Sequence, residues 1–140
     1  MSSLKLKILT PQKIVAEKEI SAITATGADG ELTVLPRHIS LFTLLKEGVV
    51  KIRSDAEESF FSIGGGYLET NGKEVTLLVS RAFHQDEIDE AEVHKAKEKA
   101  ARLIAETSDE HERTEALHVL RRSLIDLKVL KRVPHRRNAS

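Results

Sequence analysis

Up to about Phe83, apolar positions recur at every second residue or in short runs. "LKLKIL" alternates with period two, and "KIVAEKEISAITAT" is rich in β-branched residues. "ELTVLP", "SLFTLL", "VVKIRS", "SFFSI", "GYLET" and "EVTLLVS" follow at short intervals. Turn-forming residues separate the runs: Pro11, Gly27-Ala28-Asp29-Gly30, Glu47-Gly48, Ser54-Asp55 and Asn71-Gly72. Many short strands so spaced predict an antiparallel β-sandwich or barrel over residues 1–85. Asn71-Gly72 has the chemistry of a type I′ hairpin turn, since both residues tolerate positive φ. The glycines of "GGGYLE", Gly64 to Glu69, suit a bulge or a close approach of two backbones.

Beyond about Gln85 the period changes. "DEIDEAEVHKAKEKAARLIAET" is rich in the helix formers Ala, Glu and Lys. Asp86 is placed to cap this helix, and Glu87, Asp89 and Glu90 put negative charge where the helix dipole favours it. Its apolar stripe, Val93, Ala96, Ala100, Leu103 and Ile104, is narrow and small. "TSDEHE" breaks the pattern, and Ser108 or Asp109 can cap a second helix. That helix carries Leu117, Leu120, Leu124, Leu127 and Leu130 at spacings of three and four, and Pro134 should end it. Two helices joined by a short turn predict an antiparallel hairpin over 86–133, followed by a basic flexible tail, 134–140.

Composition then narrows the chemistry. The 140 residues have room for one ordinary domain, or a small domain with an appendage. Aromatic content of 4% with no Trp requires a mostly aliphatic core. The absence of cysteine excludes disulfides and Cys-ligated zinc or iron–sulfur sites and fits a reducing compartment. No apolar run approaches the roughly 18–20 residues needed to span a bilayer. The first residues lack a long apolar stretch of the secretory kind, so a soluble intracellular protein is expected. The net charge of zero hides an asymmetry: residues 86–106 carry 4 basic and 7 acidic side chains, residues 113–137 carry 8 basic and 2 acidic. A solvated hairpin with facing ion pairs would account for that pattern.

Catalytic signatures are absent. There is no phosphate-cradling P-loop, no His-Glu-x-x-His and no Gly-x-Ser-x-Gly. The six histidines, His38, His84, His94, His111, His118 and His135, show no metal-binding spacing. Neither metal nor cofactor is expected.

Four motifs stand in order along the chain. The first is Gly27-x-x-Gly30-Glu31-Leu32-x-x-Leu35-Pro36-x-His38-x-x-Leu41. "TLLKEGVVKI", "SIGGGYLETNGKEVTLL" and "IDEAEVHKAKEKA" follow. From about Leu4 to Arg132 the chain resembles the epsilon subunit of bacterial rotary ATP synthases. The resemblance implies a non-catalytic central-stalk rotor subunit that couples ion flow through the ring of c subunits to ATP synthesis. It implies a sandwich that binds the gamma subunit and sits on the c ring, peripheral on the cytoplasmic face of the cell membrane. It also implies a helical hairpin that can extend and block ATP hydrolysis by reaching the catalytic beta subunits, and alpha.

The family's contacts carry over residue by residue. Glu31, Leu32, Arg37 and His38 fall at the c-ring contact, and His38, Leu41 and Thr43 at the gamma contact. Arg37 departs from the family, which often has Gly before the His. Arg121, Arg122, Lys128, Lys131 and Arg132 form the basic set of the inhibitory helix. Some members bind ATP through Ile/Leu-Asp-x-x-Arg-Ala. Here Ile88 and Asp89 match, with Arg122 on the second helix, but Glu92 stands at the arginine and Asp126 at another position that can be basic. No ATP site is therefore expected.

Two other classes compare less well. A free-standing ligand-binding sandwich commonly displays an aromatic platform, whereas this chain has Tyr67 and four Phe, with Phe83 at the domain junction expected to pack the hairpin. A nucleic-acid binder could use Lys131, Arg132, Arg136 and Arg137. No base-stacking surface accompanies them, and nucleic acid is not expected as a partner.

Overall fold

The computed structural model describes residues 3–38 and 40–134. The chain divides at Gln85/Asp86 into two compact units. The first holds ten strands: β1 (Leu4–Leu9), β2 (Ile14–Ile20), β3 (Ala22–Gly27), β4 (Gly30–Val34), β5 (Leu41–Leu45), β6 (Gly48–Ser54), β7 (Glu57–Ile63), β8 (Gly66–Thr70), β9 (Glu74–Val79) and β10 (Ala82–His84). Their order is β10-β7-β6-β3-β5-β8-β9-β1-β2, with β4 paired to β3. All neighbours are antiparallel except β1 and β9.

Strand β3 joins the two layers. Its first residues pair with β6 (Ile23↔Ile52), and its last pairs with β5 (Gly27↔Leu45). At the other end Ser21 makes the corner between β2 and β3, its amide donating to Arg53 O at 2.8 Å. The stretch that reads as one β-rich run, Lys13 to Thr26, is thus two strands bent at Ser21. Closure gathers Leu4, Leu6, Ile8, Ile23, Val50, Ile52, Leu68, Val75 and Leu77 into one core, each at most 1% exposed. Phe61 is the one aromatic in that cluster, so the core is aliphatic as composition requires.

The β8–β9 turn differs from the expected type I′. Gly72 has φ +90, but Asn71 does not take positive φ. Asn71 instead folds its side chain over the turn, and its Oδ1 accepts from the Lys73 and Glu74 amides, each at 2.9 Å. This is the local bonding by which Asn competes with a regular turn. Gly66 shows the close approach expected of the glycine run: a Cβ there would lie 2.0 Å from Leu78 O. Phe83 lies within β10, with the Arg81 guanidinium 4.9 Å from its ring centroid.

A single 3-10 turn over Gln85–Glu87 spans the boundary, and the second unit continues with α1 (Glu90–Glu106) and α2 (Glu110–Arg132). Asp86 falls in that turn, and Asp89 takes the capping role expected of it, accepting from the Glu92 amide at 3.1 Å. Asp109, not Ser108, caps α2, bonding the His111 and Glu112 amides. The Thr107 hydroxyl bonds the Glu112 carboxylate and accepts from the Asp109 amide, fixing a three-residue connection. α2 ends at Arg132, two residues before Pro134. The tail residues Arg136 and Arg137 lie outside the described residues.

The leucine series on α2 is not the buried seam that its spacing suggests. Ala116, Ser123 and Val129 are the buried residues of α2, and Ala100 that of α1. Leu117 and Leu124 are 38% and 49% exposed. Ser123 tolerates burial because its hydroxyl donates to Val119 O at 2.8 Å.

Gly72 yields a test of the sandwich. A Cβ at Gly72 would lie 2.6 Å from His38 O, and its φ disfavours any side chain. Gly72→Ala should lower the free energy of unfolding by about 2 kcal/mol, against about 0.5 kcal/mol or less for exposed Lys73→Ala. Denaturant titration measures both, and equal stabilities would show that this contact holds nothing.

Candidate partner-binding site

The Gly27–Leu41 motif forms a hairpin and a returning turn. Gly27 pairs with Gly30 across the two-residue tip Ala28-Asp29, and Gly30 takes φ +121. Alternation then fixes the faces of β4: Val34 enters the core, Leu32 packs partly against it, and Glu31 and Thr33 point outward. Thr33 bonds the hydroxyl of Thr24 across the pair at 2.9 Å. Glu31 is exposed beside the tip.

At the far end of β4, Pro36 and Arg37 turn the chain. The His38 amide donates to Leu35 O at 3.1 Å, and the Arg37 amide to Gly72 O at 2.9 Å. Arg37 sits at φ 69, a left-handed conformation that a glycine adopts freely. It places a strained, exposed cation on the turn. His38 is half-buried. Glu31 and His38 thus occupy opposite ends of one strand, and the structure does not bring them into one cluster.

On β5 the alternation runs the other way from the sequence-based choice. Leu41 packs partly against the core, Thr43 is half-buried on the same face, and Leu45 is buried. The outward side chains are Phe42 and Leu44, 60% and 61% exposed. Phe42 stacks on Tyr67 of β8, ring centroids 4.9 Å apart. Sequence reasoning missed these two residues, although the period-two parity of "LFTLL" counted back from a core Leu45 assigns them to the outer face. Beside Phe42 lies an open cleft of about 480 Å³, bordered by Glu69, Asn71, Glu74 and Thr76.

In the hairpin, Arg121, Arg122, Lys128, Lys131 and Arg132 are all exposed. Lys131 and Arg132 occupy the last turn of α2, where the helix dipole favours cations. Within single helices the Glu90 carboxylate lies 3.6 Å from the His94 ring, and Glu110 pairs with Arg113 at 3.8 Å. Asp89 is engaged as a cap, beside half-exposed Ile88. Among the described residues no group of three or more His, Cys, Asp or Glu could hold a metal ion. No described helix is long and apolar enough to cross a membrane.

Residues 3–85 match the family model of the ATP synthase delta/epsilon chain, beta-sandwich domain. An ATP synthase epsilon chain of Xanthomonas euvesicatoria is 38% identical over 139 residues, covering 99% of this chain and 98% of that one. That of Psychrobacter cryohalolentis is 33% identical over 137 residues, covering 97% and 99%. In fold the chain is similar to one in the mitochondrial ATP synthase of Euglena gracilis, with a TM-score of 0.66 at 22% identity over 94% of this chain and 79% of that one. It is also similar to one in the central stalk/c-ring structure of Tetrahymena thermophila, with a TM-score of 0.55 at 18% identity over 91% and 96%. With a sandwich model matched over the first unit and relatives aligned through both units, the chain belongs to the family of ATP synthase epsilon chains.

Proposed function

We propose that this epsilon chain is a non-catalytic rotor subunit of the central stalk, peripheral on the cytoplasmic face of the bacterial membrane. The sandwich holds the gamma subunit and rests on the c ring, and the hairpin restrains ATP hydrolysis. What carries the reading is the near full-length alignment with epsilon chains. The exposed surfaces of the sandwich support it. Glu31 and Leu32 on β4, with Arg37 and His38 on the turn beyond it, supply the c-ring contact, and the polar members suit the wet loops of a membrane-embedded ring. The gamma contact takes in His38 and the β5 strand of Leu41 and Thr43, where Phe42 and Leu44 present the accessible side chains. Reconstitution with the cognate gamma subunit tests the class directly, and failure to bind would refute it.

Glu31→Ala should leave stability within about 0.5 kcal/mol, as surface changes do; His38 is half-buried, so His38→Ala is judged in the folded, assembled variant. Coupling of ion flow to ATP synthesis should fall in membranes carrying the assembled variant. Normal coupling in the double variant would remove both residues from the ring contact.

The hairpin reading gives a second expectation. Deleting residues from Ser108 onward should raise ATP hydrolysis by the assembled enzyme while gamma binding persists. Replacing Arg121, Arg122, Lys128, Lys131 and Arg132 with Ala should reproduce much of that rise. Exposed ion pairs contribute only about 0.2–1 kcal/mol each and are screened by salt, so high ionic strength should relieve restraint in the parent. Hydrolysis unchanged by the deletion would show that this hairpin does not inhibit through the beta or alpha subunits.

Nucleotide binding should be absent or very weak. Glu92 would set a carboxylate against a triphosphate, where a cation is needed for charge-assisted bonding. Asp89, with Ile88 and Arg122 the matching positions, already bonds its own helix. Titration calorimetry with ATP should show no micromolar binding, and heat fitting a micromolar site would overturn this.

A further inference from the structure

The outer face of β5, β8, β9, β1 and β2 carries two rows of different character. The first runs Leu44, Tyr67, Leu78, Leu9, Ile14 as paired neighbours across the five strands, the Leu9–Ile14 pair lying just past a register shift between β1 and β2. It is apolar apart from the Tyr67 hydroxyl, and its ends, Leu44 and Ile14, are 61% and 55% exposed. An antiparallel sheet that faces water normally shows polar residues there, and a contiguous apolar patch marks a docking surface. The second row runs Phe42, Glu69, Thr76, Lys7, Glu17.

Charge in the second row is unbalanced at one position. Lys7 and Glu17 pair at 3.8 Å. Thr76 separates Lys7 from Glu69, and Glu69 makes no ion pair among the described residues. Its cross-strand neighbour is Phe42, whose ring is largely open and backed by Tyr67. An unpaired carboxylate beside an open aromatic face suits a cation, which can lie over the ring and donate to the carboxylate. An apolar group pressed onto the same spot would bury Glu69 without a partner, which is costly. An anion would be repelled.

We propose that the cleft between Phe42 and Glu69 receives an arginine or lysine side chain of the gamma subunit, making Glu69 a specificity-determining residue of that contact. The inference rests on the reading that the sandwich docks gamma. The apolar row supplies the adhesive area, and Glu69 sets which gamma residue can lie at its border.

Binding of the full chain to the cognate gamma subunit, measured by calorimetry in low and high salt, tests this. Glu69→Gln keeps shape and removes charge. It should weaken binding about tenfold in dilute buffer and flatten the salt dependence, because a charged pair at a docking border is felt most at low ionic strength. Phe42→Ala should also weaken binding, and the double variant should lose less than the two single losses combined, as coupled neighbours do. Glu69→Gln binding as tightly as the parent, with unchanged salt dependence, would overturn the proposal even if Phe42→Ala weakens binding, since docking would then be apolar only. A parent chain that fails to bind gamma at all would instead refute the central-stalk reading and this inference with it.

Discussion

Strand β3 has to serve two layers at once, and the sandwich follows from that constraint. One side of β3 pairs with β4 along its length. Its other side is shared, β6 taking the first residues and β5 the last. The chain between β5 and β6, Lys46 and Glu47, carries it from one layer to the other, and the Lys46 amide bonds Thr26 O at 2.9 Å. The period-two faces of the other strands are thereby turned onto one aliphatic core instead of two half-buried sheets. The same constraint leaves β4 with no second strand partner among the described residues, which puts Glu31 at the rim and His38 on the turn beyond it.

The hairpin follows a different logic. Its helices are set by end chemistry, Asp89 and Asp109 as caps and Thr107 tying the connection together. Their buried positions include the small residues Ala100, Ala116 and Ser123. Small residues let helices approach closely but remove little apolar area from water. The larger side chains Leu117 and Leu124 stay well exposed.

Much of this was legible in the sequence because it depends on local chemistry. The strand runs, the switch of period near Gln85, the aliphatic core and the stop before Pro134 all follow from residue type and spacing. What escaped depended on parity and partners. "LFTLL" gives no absolute face until Leu45 is known to enter the core, so the sequence alone does not tell that Leu41 and Thr43 turn inward while Phe42 and Leu44 face out. The leucines of α2 have helical spacing, yet spacing alone does not tell which of two adjacent stripes meets the neighbour. At Asn71-Gly72 the composition fitted one turn, but the side-chain amide of Asn71 built another.

The unpaired side of β4 has a consequence for the life of the chain before it is assembled. A free strand edge offers a row of amides and carbonyls to any passing strand, including that of another copy, and long flat edges seed aggregates. β4 is five residues long. It opens at a glycine with φ +121, puts Glu31 in the next position and runs into Pro36 just past its end. Short length, a charge and a residue with no amide hydrogen blunt an edge as a template for strand addition. The residues at the rim of β4 thus also keep unassembled copies from zipping together.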